Sequence, residues 1–185
     1  MFLEKDKKMS ILIRPIQEKE SEAVYQMFQD IPAKENNTSN HANGISFSEF
    51  DDFCKKAVEG AERENLTVTN IPEILYLMFD DKIPVGFAKF RPFLNKDCAQ
   101  KRVSQYAYMI SPKHRGKGYA SMLLAFLKEE SVKIGLLEVE VGALKENAIS
   151  RHIIEKNGGI LTDTIKQRVI YRIPLKGKIR QGSKL

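Results

Sequence analysis

The segment 108–121, YMISPKHRGKGYAS, gathers residue types that bind an anion: Gly116 and Gly118 set among Lys113, Arg115 and Lys117. After it, Tyr119, Met122, Leu123, Phe126 and Leu127 fall at i, i+3, i+4, i+7 and i+8, the spacing of an amphipathic helix. A helix N-terminus exposes unpaired N–H groups and a partial positive charge, so it favours phosphate. Glycines let the backbone approach an anion with no Cβ in the way. Two known phosphate loops fail the test. Gly-x-x-x-x-Gly-Lys-Ser/Thr is absent, and Ser121 stands where the third glycine of Gly-x-Gly-x-x-Gly would fall. What remains is Arg115-x-x-Gly118-x-Ala120, a pattern also met in tight basic strand-to-helix turns.

The elements that must position this loop follow from periodicity. Residues 10–15 read as a first strand, ended or placed at an edge by Pro15. Residues 18–29 read as a helix carrying Ala23, Val24, Met27 and Phe28. Residues 30–44 form a long polar loop, of a length that is often functional. Ser46 and Glu49 fit a capping box, opening a helix to about residue 64 with Phe50, Phe53, Cys54 and Ala57 on one face. Residues 74–79 and 84–90 read as a hairpin about Asp80-Asp81-Lys82. A loop spans 93–100, a strand 103–110, and a helix starts near Gly118 and stops at Gly135. Leu137, Val139 and Val141 alternate with Glu138 and Glu140, as in a strand with one polar face. Asn147 caps a helix that Asn157-Gly158-Gly159 ends, and strands follow near Ile160 and at 167–175. This mixture predicts an α+β (mixed α/β) fold rather than a doubly wound parallel sheet.

The chain has 185 residues and a formal charge of +6. Lys5, Lys7 and Lys8 against Glu4 and Asp6 account for +1, and Lys176, Lys178, Arg180 and Lys184 for +4, leaving residues 9–175 near neutral. Residues 1–175 are therefore read as one domain and 176–185 as a basic, solvated tail. That distribution argues against a nucleic-acid partner. No apolar run is long enough to span a bilayer, so no membrane partner is expected. The mixed-charge N-terminus is not a secretory signal. Cys54 and Cys98 have no Cys or His neighbours at zinc spacing. They read as reduced thiols in a cytoplasmic protein without a metal site.

Arg115-x-x-Gly118-x-Ala120 resembles the coenzyme A pyrophosphate loop of the GNAT superfamily of acyl-CoA-dependent N-acyltransferases, written Arg/Gln-x-x-Gly-x-Gly/Ala. The following strand, Asn147-x-x-Ser150 and the helix end Glu155-Lys156-Asn157-Gly158-Gly159 resemble the superfamily's next segment, in order and distance. The likeness covers residues 10–174 and is closest over 103–162, where it resembles a bacterial subgroup of predicted acetyltransferases. It implies a twisted mixed sheet flanked by helices and split between two strands where the cofactor enters. It implies acetyl-CoA as co-substrate and direct attack of a primary amine on the thioester. The acceptor would be a small molecule or a peptide, and the family allows a homodimer. A non-catalytic acyl-CoA sensor with the same fold is the alternative.

Carried over by the resemblance, the pyrophosphate lies on the backbone of Arg115, Gly116, Lys117, Gly118, Tyr119 and Ala120, with Ser121 close by. Tyr108, Met109 and Ile110 pair with the pantetheine arm, and an N–H there polarises the thioester carbonyl. Asn147 reaches the same arm. Many relatives place a tyrosine four residues after the position of Ser150 as general acid, and here that residue is Ile154. Tyr106 and Tyr108, on one face of their strand, are the substitutes, or else packing aromatics.

A base is needed to take a proton from the amine. His41 lies in the long loop and could line the acceptor pocket, whereas His114, beside the phosphate loop, reads as a surface or loop residue and His152 as structural. Glu49, Asp51 and Asp52 could attract a cationic amine or simply serve the first turn of their helix. Arg91 and Asn95 flank the hairpin exit and could hold an acceptor carboxylate. Cys54 falls on an apolar face and does not read as a nucleophile.

Overall fold

The computed structural model describes residues 10–61, 71–101 and 103–175. The basic tail and the expected helix end at 62–64 lie outside the described residues. The centre is the hairpin of β4 (Ile74–Asp80) and β5 (Ile83–Phe90), whose apolar runs are buried on both faces. Such unbroken runs fit strands covered above and below, where an alternating pattern would leave one face wet. β1 (Ile11–Pro15) pairs with β4, and β6 (Tyr106–Ile110) pairs with β5, giving the order β1-β4-β5-β6. A second sheet has the order β7-β9-β8, from β7 (Glu138–Leu144), β8 (Ile160–Ile165) and β9 (Arg168–Pro174). Every ladder among the described residues is antiparallel, and the class is α+β.

Period-2 alternation sends the first sheet's side chains into two cores. Leu75, Leu77, Phe79, Phe87 and Met109 pack with α1 (Glu22–Asp30) and α2 (Phe47–Ala61). Tyr76, Met78, Ala88, Phe90, Tyr106 and Ile110 pack with α4 (Tyr119–Lys133), α5 (Ala148–Lys156) and the second sheet. α1 is capped by Ser21, whose hydroxyl accepts from Val24 N–H, and buries Val24, Met27 and Phe28. The Ser46–Glu49 box forms by half. Glu49 reaches back to Ser46 N–H at 2.8 Å, but the Ser46 hydroxyl donates to that same carboxylate. These bonds hold the Glu49 carboxyl below its usual range.

Several boundaries differ from the sequence expectation. The long polar loop contains a small ribbon, β2 (Lys34–Glu35) and β3 (Thr38–Ser39), turned by Asn36 and Asn37 at φ +47° and +67°. Asparagine tolerates that left-handed geometry, so the ribbon needs no glycine. The loop at 93–100 holds a short helix, α3 (Lys96–Gln100), which Asn95 caps by accepting from Cys98 N–H. β6 starts at Tyr106 rather than at 103, because Ser104 and Gln105 turn to β7 with their side chains. Leu137 is 79% exposed and precedes β7, so the inward alternation runs through Val139, Val141 and Ala143 instead.

Between the two sheets the chain leaves a gap. Gln105 N–H donates to Glu140 C=O at 3.0 Å, and Glu140 N–H donates to Gln105 Oε1 at 2.9 Å. Among the described residues no ladder joins β6 to β7 beyond this point. The sheet is thus split where the resemblance places the cofactor.

Candidate active site

A cleft of about 740 Å³ occupies this gap. One end is bounded by the loop 114–116, the start of α4 and the start of α5. Gly118 is the N-cap of α4 at φ +83°, with no side-chain cap, and Gly116 lies at φ +80°. A Cβ on either glycine would meet nothing within 4 Å. The N–H groups of the first turn are therefore left without a side-chain partner, at a helix end that favours anions.

The edge of β6 supplies further donors. Ser111 N–H bonds to Val85 C=O and Arg91 N–H to Gln105 C=O, on either side of a regular β5–β6 register. By antiparallel alternation the amides of Ala107 and Met109 are then committed to β5, while those of Tyr108 and Ile110 face the gap. Of the three strand residues expected to meet a pantetheine arm, Tyr108 and Ile110 present donors, and Met109 lines the cleft without a free amide. Asn147 caps α5, its Oδ1 accepting from Ser150 N–H at 3.0 Å, and also lines the cleft. Ser121 lines it too, its hydroxyl accepting from Asn157 Nδ2 at 3.0 Å. Backbone donors along an extended edge, followed by an open helix N-terminus, suit an amide-bearing arm that ends in a pyrophosphate.

The loop's basic side chains are placed otherwise than expected. Lys113 makes a two-oxygen ion pair with Asp30 at 2.8 Å. Arg115 forms a bidentate pair with Glu35 of the ribbon at 3.0 and 2.6 Å and donates Nε to Ile110 C=O. Lys117 is not among the residues lining the cleft. Tyr119 is 2% exposed, with its hydroxyl donating to Asp80 at 2.6 Å, so only its backbone serves the loop.

The two tyrosines of β6 diverge. Tyr106 is sealed in the core, its hydroxyl 2.6 Å from Ser131 Oγ and 3.2 Å from Leu127 C=O. Burial pushes its phenol far up. Tyr108 is only half-buried and reaches across the gap to Ser150 Oγ at 3.0 Å. Burial raises its phenol as well, and the Ser150 bond opposes this. Ile154, one helical turn beyond Ser150, is fully buried.

At the other end of the cleft stand Glu35, His41, Glu73, Lys89, Arg91, Ser104 and Arg168. Of these the sequence reading named only His41 and Arg91. Glu73 binds Arg91 Nη2 at 2.6 Å and Lys89 Nζ at 3.5 Å. Arg91 also donates to Ser104 C=O at 2.9 Å. Arg168 crosses β7 over Gly142, where an added Cβ would lie 2.5 Å from its Nη2. Asn95, Glu49, Asp51, Asp52 and His152 do not line the cleft, whereas His114 does. Cys54 is fully buried, and burial pushes its thiol up to about 12, which removes it from nucleophilic chemistry. Period-2 spacing with cross-strand register was the only signal for Lys89, and nothing local pointed to Glu73 or Arg168.

A cleft with an amide edge and a helix N-terminus at one end and a charged chamber at the other suits an acyl-CoA-dependent transferase. The Acetyltransferase (GNAT) family matches residues 23–159, and the chain belongs to it. No curated protein matches. Among solved structures, an N-acetyltransferase from Staphylococcus aureus superposes with a TM-score of 0.63 at 20% identity, covering 90% of this chain and 99% of that one. A putative acetyltransferase from Salmonella typhimurium, solved with its cofactor acetyl-CoA, gives 0.60 at 15% identity over 94% and 99%. A spermidine N-acetyltransferase chimera of Vibrio cholerae and hSSAT gives 0.60 at 18% identity over 89% and 95%. The enzyme is a GNAT-type acetyltransferase, and acetyl-CoA fits as its co-substrate. No helix among the described residues is long and apolar enough to cross a membrane.

Proposed function

We propose that this enzyme transfers an acetyl group from acetyl-CoA to a primary amine held at the Lys89–Arg91 end of the cleft. The continuity of that chamber with the β6 edge and the open start of α4 carries the reading. Acetyl-CoA supplies an acetyl thioester, whose C–S bond breaks as the amine nitrogen forms the C–N bond, the thiol leaving with a proton.

The chain's residues divide the remaining work. The backbone of 115–120 holds the pyrophosphate at the helix start, with Ser121 beside it. The Tyr108 and Ile110 amides hold the arm and stabilise developing charge on the carbonyl oxygen. Asn147 orients the arm from the next helix. The Tyr108 hydroxyl stays protonated at neutral pH and gives its proton to the departing sulfur, a task Ile154 cannot perform. His41, at the junction with the acceptor chamber, takes the proton released by the amine, directly or through water. Glu73 is already the counter-ion of Arg91 and serves as structure rather than as base.

The test is acetyl-CoA titration by calorimetry, followed by thiol release across a panel of amines. Saturable binding with amine-dependent thiol release is expected. Binding with no release above hydrolysis would instead establish the acyl-CoA sensor, and absence of binding would remove both readings.

A further inference from the structure

Resting on the transfer reading above, we infer that the acceptor is an amino carboxylate with an apolar side chain, its carboxylate paired with Lys89.

Lys89 is 9% exposed. Its one ion-pair partner among the described residues is Glu73 Oε1, at 3.5 Å. That is longer than the roughly 2.7–3.2 Å of a formed N–H···O bond. Glu73 gives its closer bond, 2.6 Å, to Arg91. A buried ammonium held this loosely is costly unless a second anion completes it. Around it the charge is one-sided. The described carboxylates lining the cleft are Glu35 and Glu73, against the cations Lys89, Arg91 and Arg115 that they serve. Glu35 is spent on Arg115. The chamber is thus arranged for a bound anion.

The β5–β6 register sets where that anion lies. Lys89 stands opposite Ala107, one residue along β6 from Tyr108 and three from Ile110. One to three residues of strand span about 3 to 10 Å. A lysine stem covers much of that distance, so the ammonium and the carbonyl-polarising amides of β6 can meet two ends of one small molecule.

Lys89 also lines a second cavity, of about 170 Å³. Phe28, Phe53, Ala57, Leu75 and Phe87 form its apolar wall, and His41, Glu73 and Lys89 belong to both spaces. Asn40 and Lys56 also line it. A cavity of about 150 Å³ suffices for benzene, so by volume this one takes a phenyl ring or a branched aliphatic group against its apolar wall. Amine, carboxylate and apolar group therefore converge on one point, as they do on the α-carbon of an amino acid. A polyamine would bring further positive charge against Lys89.

The experiment measures thiol release at saturating acetyl-CoA. The acceptors are leucine and phenylalanine, their primary amides, isoamylamine, phenethylamine, glycine and spermidine. The free acids should exceed the amides, the decarboxylated amines and glycine by about tenfold or more in kcat/KM. Lys89→Met should shrink the acid-over-amide preference to within about threefold while acetyl-CoA affinity holds. Ala57→Phe, which fills the apolar cavity from α2, should depress turnover of leucine and phenylalanine and spare glycine.

Amides used as well as acids, glycine used as well as leucine, or a preference for spermidine would each overturn the inference. So would acetyl-CoA binding with no turnover of any amino carboxylate. The transfer reading survives those results wherever another amine turns over, and falls separately if acetyl-CoA does not bind.

Discussion

One end of the cleft is lined largely by one continuous stretch, residues 108–121, with a strand edge and a helix start that present backbone amides. At the other end stand the side chains of Glu35, His41, Lys89, Arg91, Ser104 and Arg168, from segments far apart in the chain. The first end depends on conformation: an unladdered strand edge and two glycines at positive φ. The second depends on cross-strand register and on which charges pair. A backbone site resists side-chain substitution but fails when its geometry changes. A side-chain site can be retuned one residue at a time.

The largest effect is expected at Gly118. A tryptophan there must adopt φ +83°, a conformation that costs an L-residue roughly 1–2 kcal/mol. Its side chain also projects into the open space that the glycine leaves. Acetyl-CoA affinity in calorimetry should fall by about a hundredfold or more, beyond what loss of one charged contact produces. Unchanged affinity would show that side chains, not backbone, hold the cofactor.

Next comes the pair Tyr108→Phe and Tyr106→Phe. The first removes the hydroxyl at Ser150 and should lower kcat by about 10²-fold, the usual worth of a positioned proton donor, with acetyl-CoA affinity preserved. The second leaves Ser131 Oγ without its 2.6 Å partner in the core and should cost about 1–3 kcal/mol in urea unfolding, with kcat nearly unchanged. Because burial raises the Tyr108 phenol above its ordinary value, kcat should show no falling limb from its deprotonation between pH 7 and 9. The same sign governs stability. Tyr76, pushed up to about 12 chiefly by burial, favours the fold below pH 10, and that contribution is lost as pH rises through 12.

These predictions follow the line between what the sequence carried and what it did not. The loop, its helix and the caps at Ser21 and Asn147 are local, so Gly118, Asn147 and the α4 spacing could be read along the chain. The paired strands could be read too, since β4 and β5 are apolar runs around a polar turn. The acceptor end could not. Lys89 comes to line the cleft through its register with Leu75 and Ala107, and Arg168 by crossing Gly142. Three basic residues in the loop suggested a positive cluster, but Asp30 and Glu35 lie more than 75 residues upstream and neutralise two of them. The ribbon was missed because Asn36 and Asn37 take the left-handed turn without glycine.

Ile154→Tyr asks whether the residue common among relatives can be put back. Ile154 is fully enclosed, with the Gly159 backbone against it. The larger ring should destabilise the fold by about 1–3 kcal/mol, as overpacking does. No gain in kcat should accompany it while Tyr108 is present. A rise in kcat without loss of stability would return the acid role to α5.

The smallest effect is expected where the two ends touch. Arg115 belongs to the cofactor loop by sequence, yet its guanidinium is held by Glu35 of the ribbon. The pair is 44% and 31% exposed, so its removal by Glu35→Ala should cost no more than about 1 kcal/mol in stability. If backbone donors carry the cofactor, acetyl-CoA affinity should stay within about threefold, for only a screened surface charge has been unbalanced. The ribbon, however, walls the acceptor end, and freeing it should raise KM for the amine more than it changes kcat. A Kd for acetyl-CoA that moves tenfold in either direction would place the Arg115 side chain in the cofactor site and dissolve the division between a backbone end and a side-chain end.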